Sequence, residues 1–259
     1  MSSRQSPRRV NDCVDAVCVL SVRSFTQRIA FMREQLARHG IECRFVFEHD
    51  ADAIDPALAA AIFGACDLAP AHQSLVLKNI KVWRDAVAHG WRRVLVLEDD
   101  AVLDEHFTRR FVEALDAADR LAPGWLLFLG GHDTKVPDWY FLAPGPLVPL
   151  SVATTEACVH DLTAMQRRLQ WLQSNRVTLP LDHLLRRMDP QCGTAQYWLR
   201  HPIVEQGSVV GLFDSALDSV RLGHSRLYNR LRNRWNKFRR RRWREWRVRL
   251  LAAFSPRRS

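Results

Sequence analysis

The stretch Arg92-Arg93-Val94-Leu95-Val96-Leu97-Glu98-Asp99-Asp100 decides the fold. Residues 93–97 form a short, continuous apolar run rich in β-branched side chains, the pattern of a strand buried on both faces as in a parallel sheet. The run stops abruptly in three consecutive carboxylates. Upstream, the spacing of Leu75, Ile80, Val82, Trp83 and Val87 predicts a helix over 72–89, ended by Gly90. Before it, 16–22 reads as an apolar strand. Ser24 is positioned to cap a helix carrying Phe25, Ile29, Met32 and Leu36 as far as Gly40, and 41–47 reads as a second strand. Downstream, Phe107, Phe111 and Leu115 predict a helix over 105–118, and 125–129 a buried strand closed by Gly130-Gly131. Strands alternating with helices imply an α/β fold, a mostly parallel Rossmann-type sheet flanked by helices. The Pro/Gly-rich segment 136–149 reads as a loop or hairpin, 154–160 as a strand, and 162–173 and 181–188 as helices.

The chain has 259 residues and a formal net charge of +10, but the charge is unevenly placed. Residues 221–259 hold 15 basic groups and one acid, Glu245, which leaves 23 basic and 27 acidic groups in the first 220. A mildly acidic body with a strongly basic tail is not a uniformly basic nucleic-acid-binding domain. This suggests a flexible N-terminus over 1–13, a body over 14–220 and a basic tail over 221–259. At 47% hydrophobic and 25% charged residues the body is neither disordered, collagenous nor coiled coil. No stretch reaches the roughly 18 apolar residues of a membrane span. The start MSSRQSPRRV lacks the apolar core of a secretory signal, so a cytoplasmic location is expected. Six cysteines without a C-x-x-C pair read as buried thiols of a reducing compartment.

In a doubly wound sheet ligands bind beyond the carboxyl ends of the strands, which is where Glu98, Asp99 and Asp100 fall. Side chains alternate along a strand, placing Glu98 and Asp100 on one side, where they can share a hard divalent cation. Such a cation would neutralise a departing diphosphate. The plainer alternative is that Asp99 or Asp100 caps the next helix. The same stretch also resembles the first strand of a phosphorylation receiver domain. That reading demands an aspartate at the end of a later strand, and 144–151 contains no acid.

Four blocks of sequence carry a second resemblance. They are Leu20-Ser21-Val22-Arg23-Ser24 followed by Arg28; Glu48-His49-Asp50-Ala51; SLVLKNIKVW (74–83) ahead of VLVLEDDAVL; and the late pair LPLDHLL (179–185) and HPIVEQGSVVGLF (201–213). Over about 16–217 the chain resembles glycosyltransferase family 25, which makes lipooligosaccharide and lipopolysaccharide and includes collagen galactosyltransferases. The resemblance implies a GT-A fold, a UDP-sugar donor, a manganese or magnesium ion, and inverting transfer of a hexose such as galactose to a cell-surface glycan or glycolipid. By position, Glu98 and Asp100 would hold the metal, Asp99 would belong to the same diphosphate motif, and Ser21, Arg23, Arg28, Asp50 and Lys78 would face the donor. Two positions depart from the family: Lys78-Asn79 stands where many members have Ser-His, and Ala51 where they have glycine. A transferase-like body that only binds, tethered by its tail, is the alternative from another class.

Inverting transfer needs a base within hydrogen-bond reach of the acceptor hydroxyl. Asp182 is the first candidate and Glu205 the second, with a helix cap the competing role for Asp182. His183, His201 and His224 are candidate additional metal ligands, though a lone histidine is more often structural. Gly130-Gly131-His132-Asp133 would let a substrate approach the backbone, or simply turn it. Trp139, Tyr140 and Phe141 would stack on an acceptor sugar or pack in the core.

Residues 239–249 read RRRRWREWRVR, within a helix expected over 223–254. Arginines attracted to anionic headgroups, combined with interfacial indoles, suggest a peripheral helix on the inner face of the cytoplasmic membrane. A merely solvated tail is the second reading and nucleic acid the least favoured.

Overall fold

The first strand, Ala16–Leu20 (β1), leads to Thr26–Arg38 (α1), Arg44–Val46 (β2), Pro56–Ile62 (α2) and Pro70–His89 (α3). Arg93–Glu98 (β3) follows, then Ala101–Leu103 (β4), Phe107–Ala118 (α4), Trp125–Phe128 (β5), Leu147–Pro149 (β6) and Ala157–Asp161 (β7). Leu162–Ser174 (α5), Leu181–Gln191 (α6), Ala195–Leu199 (β8), Val204–Gln206 (β9) and Arg244–Phe254 (α7) complete the order. This is a computed structural model, and it describes residues 8–131, 134–151, 154–208, 212–213, 235 and 238–254.

Seven strands form one sheet in the order β2-β1-β3-β7-β5-β8-β6. Strands β2, β1, β3, β5 and β8 point one way, while β7 and β6 run against their neighbours. The fold is therefore mixed α/β, with a mostly parallel sheet flanked by helices. The core explains why the decisive run carries no alternation. Val94 and Val96 pack with Trp83, Leu77 and Ile80 of α3 on one face, and Leu95 and Leu97 pack with Phe107, Phe111 and Leu115 of α4 on the other. Both faces of β3 are covered, so both parities must be apolar.

Several elements differ from their expected form. Phe25, with no side-chain bond, caps α1, because Ser24 lies one residue too early. Strand β2 is only three residues long. The unforeseen α2 begins where Asp55 accepts from Ala57 N–H at 2.9 Å with Pro56 at the first helical position; its alanines leave almost no apolar period to read. Strands β4, β6 and β9 are three residues long, too short for a periodic signal, and the five-residue β8 was also not expected. Val10–Asp12 form a 3-10 turn with Val10 fully buried, so the packed body starts before the boundary expected at residue 14. Of the six free cysteines, Cys13, Cys18 and Cys158 are buried, and Cys43, Cys66 and Cys192 are half-buried. Of the helix expected over 223–254, residues 223–234 lie outside the described set; a wide π-turn at Phe238–Trp243 feeds α7.

A buried ionic network ties the second half of the sheet to its helices. Arg168 grips Asp189 in bidentate fashion at 2.7 and 2.8 Å, touches His160 Nδ1 at 2.8 Å and lies 5.3 Å from the Trp83 ring centroid. Gln196 Nε2 adds a third hydrogen bond to the Asp189 carboxylate at 2.7 Å. Burial and the adjacent guanidinium push the His160 pKa well down, so its ring is neutral and accepts from Arg168. Removing one partner strands a charge in the core. Asp189→Ala is expected to cost about 3–5 kcal/mol, read as a lower urea midpoint; an unchanged midpoint would contradict the network's role.

Candidate functional site

The carboxyl end of β3 opens onto a cavity of about 370 Å³, whose lining includes Ser21, Arg28, Lys78, Glu98, Asp99 and Asp100. The sheet register creates it. Leu20 pairs with Glu98 at the last rung between β1 and β3, so the chain leaving β1 and the three acids leaving β3 emerge side by side. The main chain turns at Asp99 and Asp100 before entering β4, which pairs antiparallel with β9. Because the strand ends at Glu98, the expected alternation does not continue: Asp99 faces the cavity as well.

The three acids have different environments. Asp99 is neutralised, accepting from Ser21 Oγ at 2.7 Å and Arg28 Nη1 at 2.9 Å. Arg28 is steadied by aromatic faces, 4.9 Å from the Phe25 ring centroid and 5.5 Å from that of Phe213. Glu98 takes a hydrogen bond from the Thr155 hydroxyl at 2.7 Å, yet its pKa is pushed up to about 8, by burial first and then by the Asp100 charge. Burial also raises Asp100, against the pull of the Ser208 N–H at 3.1 Å and of Arg28. The Asp100 carbonyl accepts from Gly207 N–H at 2.7 Å, and a Cβ at Gly207 would come within 2.7 Å of that oxygen; glycine is the residue that fits this approach.

A fourth acid, Glu156, lies beside them and was not singled out from the sequence. It is 6% exposed, accepts from Gly131 N–H and the Thr154 hydroxyl, and its pKa is raised by burial. Glycine at 130 leaves room for the Glu156 carboxylate, which a Cβ there would displace. The available signal was an acid placed just ahead of an apolar strand whose partner strand ends in Gly-Gly. His132 and Asp133 lie outside the described residues.

Lys78 is 3% exposed and bonds Asp50 Oδ1 at 2.6 Å and the Glu48 carbonyl at 2.8 Å. Asp50 also accepts from Arg23 N–H at 3.2 Å, so one carboxylate joins the turns after β1 and β2 at the cavity's edge. His49 between them adopts φ 64°, the left-handed region a side chain rarely occupies, held by those bonds. Ala51 and Asp52 line the cavity, while Asp50 and Arg23 do not; the Arg23 guanidinium lies over the Phe47 ring.

The two candidate bases are not brought into the cavity lining. Asp182 sits in the first turn of α6, capped by Pro180, and its carboxylate accepts from the N–H of its neighbour His183. Glu205 lies on β9 opposite Val102; the next residue, Gln206, lines the cavity, and alternation along the strand turns Glu205 away from it. His183 and His201 are exposed on the surface, and His224 lies outside the described residues. Tyr140 and Phe141 are core residues, and only Trp139 of that trio is exposed.

Among the described residues, no three His, Cys, Asp or Glu side chains gather so as to enclose a metal ion alone. The donor set does fit a cation held in part by its ligand. Glu98 and Asp100 are oxygen donors whose ionised forms repel each other, and Mg²⁺-type sites commonly use one or two carboxylates plus phosphate oxygens.

No known family's sequence profile matches the chain. No curated protein matches it either. Among solved structures, the chain is similar to a glycosyltransferase involved in the glycosylation of the major capsid of PBCV-1, at 11% identity and a TM-score of 0.41, covering 85% of this chain and 99% of that one. At that distance the function must be read from the residues themselves.

The raised Glu98 pKa has a measurable consequence. Between about pH 4.5 and about 8 the folded chain keeps a proton that the unfolded chain has released, so the stability of cation-free protein falls as pH rises through that window. Glu98→Gln is expected to flatten the fall, widening its stability advantage over wild type toward the alkaline end in urea unfolding. Parallel pH profiles for the two proteins would contradict the assignment.

Proposed function

We propose that the chain is a glycosyltransferase of family 25 type with a GT-A-like fold, transferring a hexose such as galactose from a UDP-sugar to a cell-surface glycan or glycolipid with inversion. One observation carries this reading: the cavity at the carboxyl ends of β1 and β3 concentrates Glu98, Asp99 and Asp100 while its cations, Arg28 and Lys78, are already matched by Asp99 and Asp50. An anionic ligand alone would meet repulsion there, and a lone cation would lack ligands. A nucleoside diphosphate together with a divalent ion satisfies both. The four sequence blocks that resemble the family include the acids and the Ser21–Arg28 turn that clamps Asp99.

In this reading Glu98 and Asp100 would hold Mn²⁺ or Mg²⁺, and such an ion would supply positive charge to the leaving diphosphate. Arg28, fixed by Asp99 and two aromatic rings, adds a cation that costs little reorganisation during transfer. Lys78, through Asp50, holds the turns after β1 and β2 that border the nucleotide end of the cavity. The candidate general bases remain Asp182 and Glu205, and because neither lines the cavity, either would have to come within reach of the acceptor hydroxyl when substrates bind. Glu205 is the nearer along the chain, being adjacent to Gln206 in the lining.

The test is UDP release from a panel of UDP-sugars in manganese, with and without glycan acceptors. Release is expected to need the cation and to fall at least about a hundredfold in Asp100→Ala, the loss of roughly 2.7 kcal/mol of transition-state stabilisation. Release that persists in excess EDTA and in Asp100→Ala would refute the metal assignment. Donor binding without turnover on any acceptor would instead indicate a binding module. Glu205→Ala and Asp182→Ala separate the two bases by which one lowers kcat.

A further inference from the structure

The basic tail segment is docked on the body through one side of its helix. Arg244 Nε donates to Asp138 Oδ1 at 2.8 Å, and its guanidinium lies 5.9 Å from the Phe141 ring centroid. One turn later Val248 is 6% exposed, part of the same core cluster as Tyr140 and Phe141. Trp243, Arg247, Leu250 and Phe254 recur at helical spacing along another line, with Trp246 beside it. All of these are exposed, and the Arg247 guanidinium lies 5.5 Å from the Trp243 ring centroid.

The body supplies a matching element. Asp138–Phe141 is a 3-10 turn, in which residues three apart share a face. Asp138 and Phe141 meet Arg244, whereas Trp139 and Leu142 share a different face and are 48% and 51% exposed. Among the described residues nine large hydrophobics are exposed, and all but Val87 belong to this turn or to the tail. Residues 239–249 add seven arginines against Glu245. Aliphatic and indole side chains gathered within a dense positive field match a surface that is negative outside and apolar beneath.

We propose that the 138–142 turn and helix α7 together form a platform that seats on an anionic lipid bilayer. Indoles favour the interfacial zone, and arginines are drawn electrostatically to a negative leaflet. Single-stranded nucleic acid would use the arginines and indoles but has no apolar layer to receive Leu142, Leu250 and Phe254. No helix among the described residues is long and apolar enough to cross a membrane. The platform does not depend on sugar transfer, and its readout is separate.

The test is co-sedimentation of the full chain with vesicles of phosphatidylcholine alone or mixed equally with phosphatidylglycerol. Binding is expected only to the mixed vesicles and to weaken as salt rises. The pairs Trp243→Ser/Trp246→Ser and Trp139→Ser/Leu142→Ser are each expected to lower the partition coefficient about tenfold, as loss of interfacial apolar area demands, with the urea midpoint unchanged. Equal uptake by both vesicles, displacement by single-stranded DNA, or full binding by the folded Trp139→Ser/Leu142→Ser chain would overturn the platform.

Discussion

Desolvation of the carboxylates at the end of β3 is the constraint around which the cavity is built. A strand covered by α3 on one face and α4 on the other delivers Glu98, Asp99 and Asp100 to a place where water cannot fully solvate them. Each is then dealt with separately. Asp99 is matched by Arg28 and Ser21, which fixes the turn after β1. Asp100 is held by the backbone after β9, which recruits the two-stranded β4–β9 flap and requires glycine at 207. Glu98 is left with a threonine hydroxyl and a raised pKa, and it is this residual deficit of positive charge that a cation would fill.

Strand β3 and its acids were legible because a doubly covered strand has no option but continuous apolar sequence. The helices α1, α3 and α4 were legible for a related reason: each buries one stripe, and stripes such as Phe107, Phe111 and Leu115 repeat at the helical period. Short edge elements carry no such pattern. Strands β4, β6 and β9 are three residues each, defined by pairing with distant partners that the local sequence does not reveal. Alternation misled at Asp99, where the turn that ends the strand brings a second parity into the cavity. Glu156 escaped notice because its importance lies in the Gly130-Gly131 backbone packed against it, a contact between segments about 25 residues apart. Asp182 and Glu205 show the converse, since acids attractive by type and by neighbouring motif lie outside the lining.

The charge division read from composition takes spatial form. The acidic excess of the body includes the buried cluster, while Arg244 and Val248 anchor helix α7 of the basic tail on the body. Docking matters physically because a helix fixed on the body presents its outer stripe without the ordering cost that a free tail would bear on binding. An enzyme acting on a lipid-linked acceptor would gain from being held at the leaflet where that acceptor resides. The two proposals support one another without sharing a residue.

The proposed function has Glu98 and Asp100 taking a cation jointly with a nucleoside diphosphate. Electron paramagnetic resonance of free Mn²⁺ measures this directly. The free-ion signal is expected to fall when wild-type protein and UDP are both present, much less with either alone, and not with Asp100→Asn protein and UDP beyond what UDP itself binds. Equal Mn²⁺ uptake by wild type and Asp100→Asn, or UDP binding that is indifferent to the cation, would contradict it.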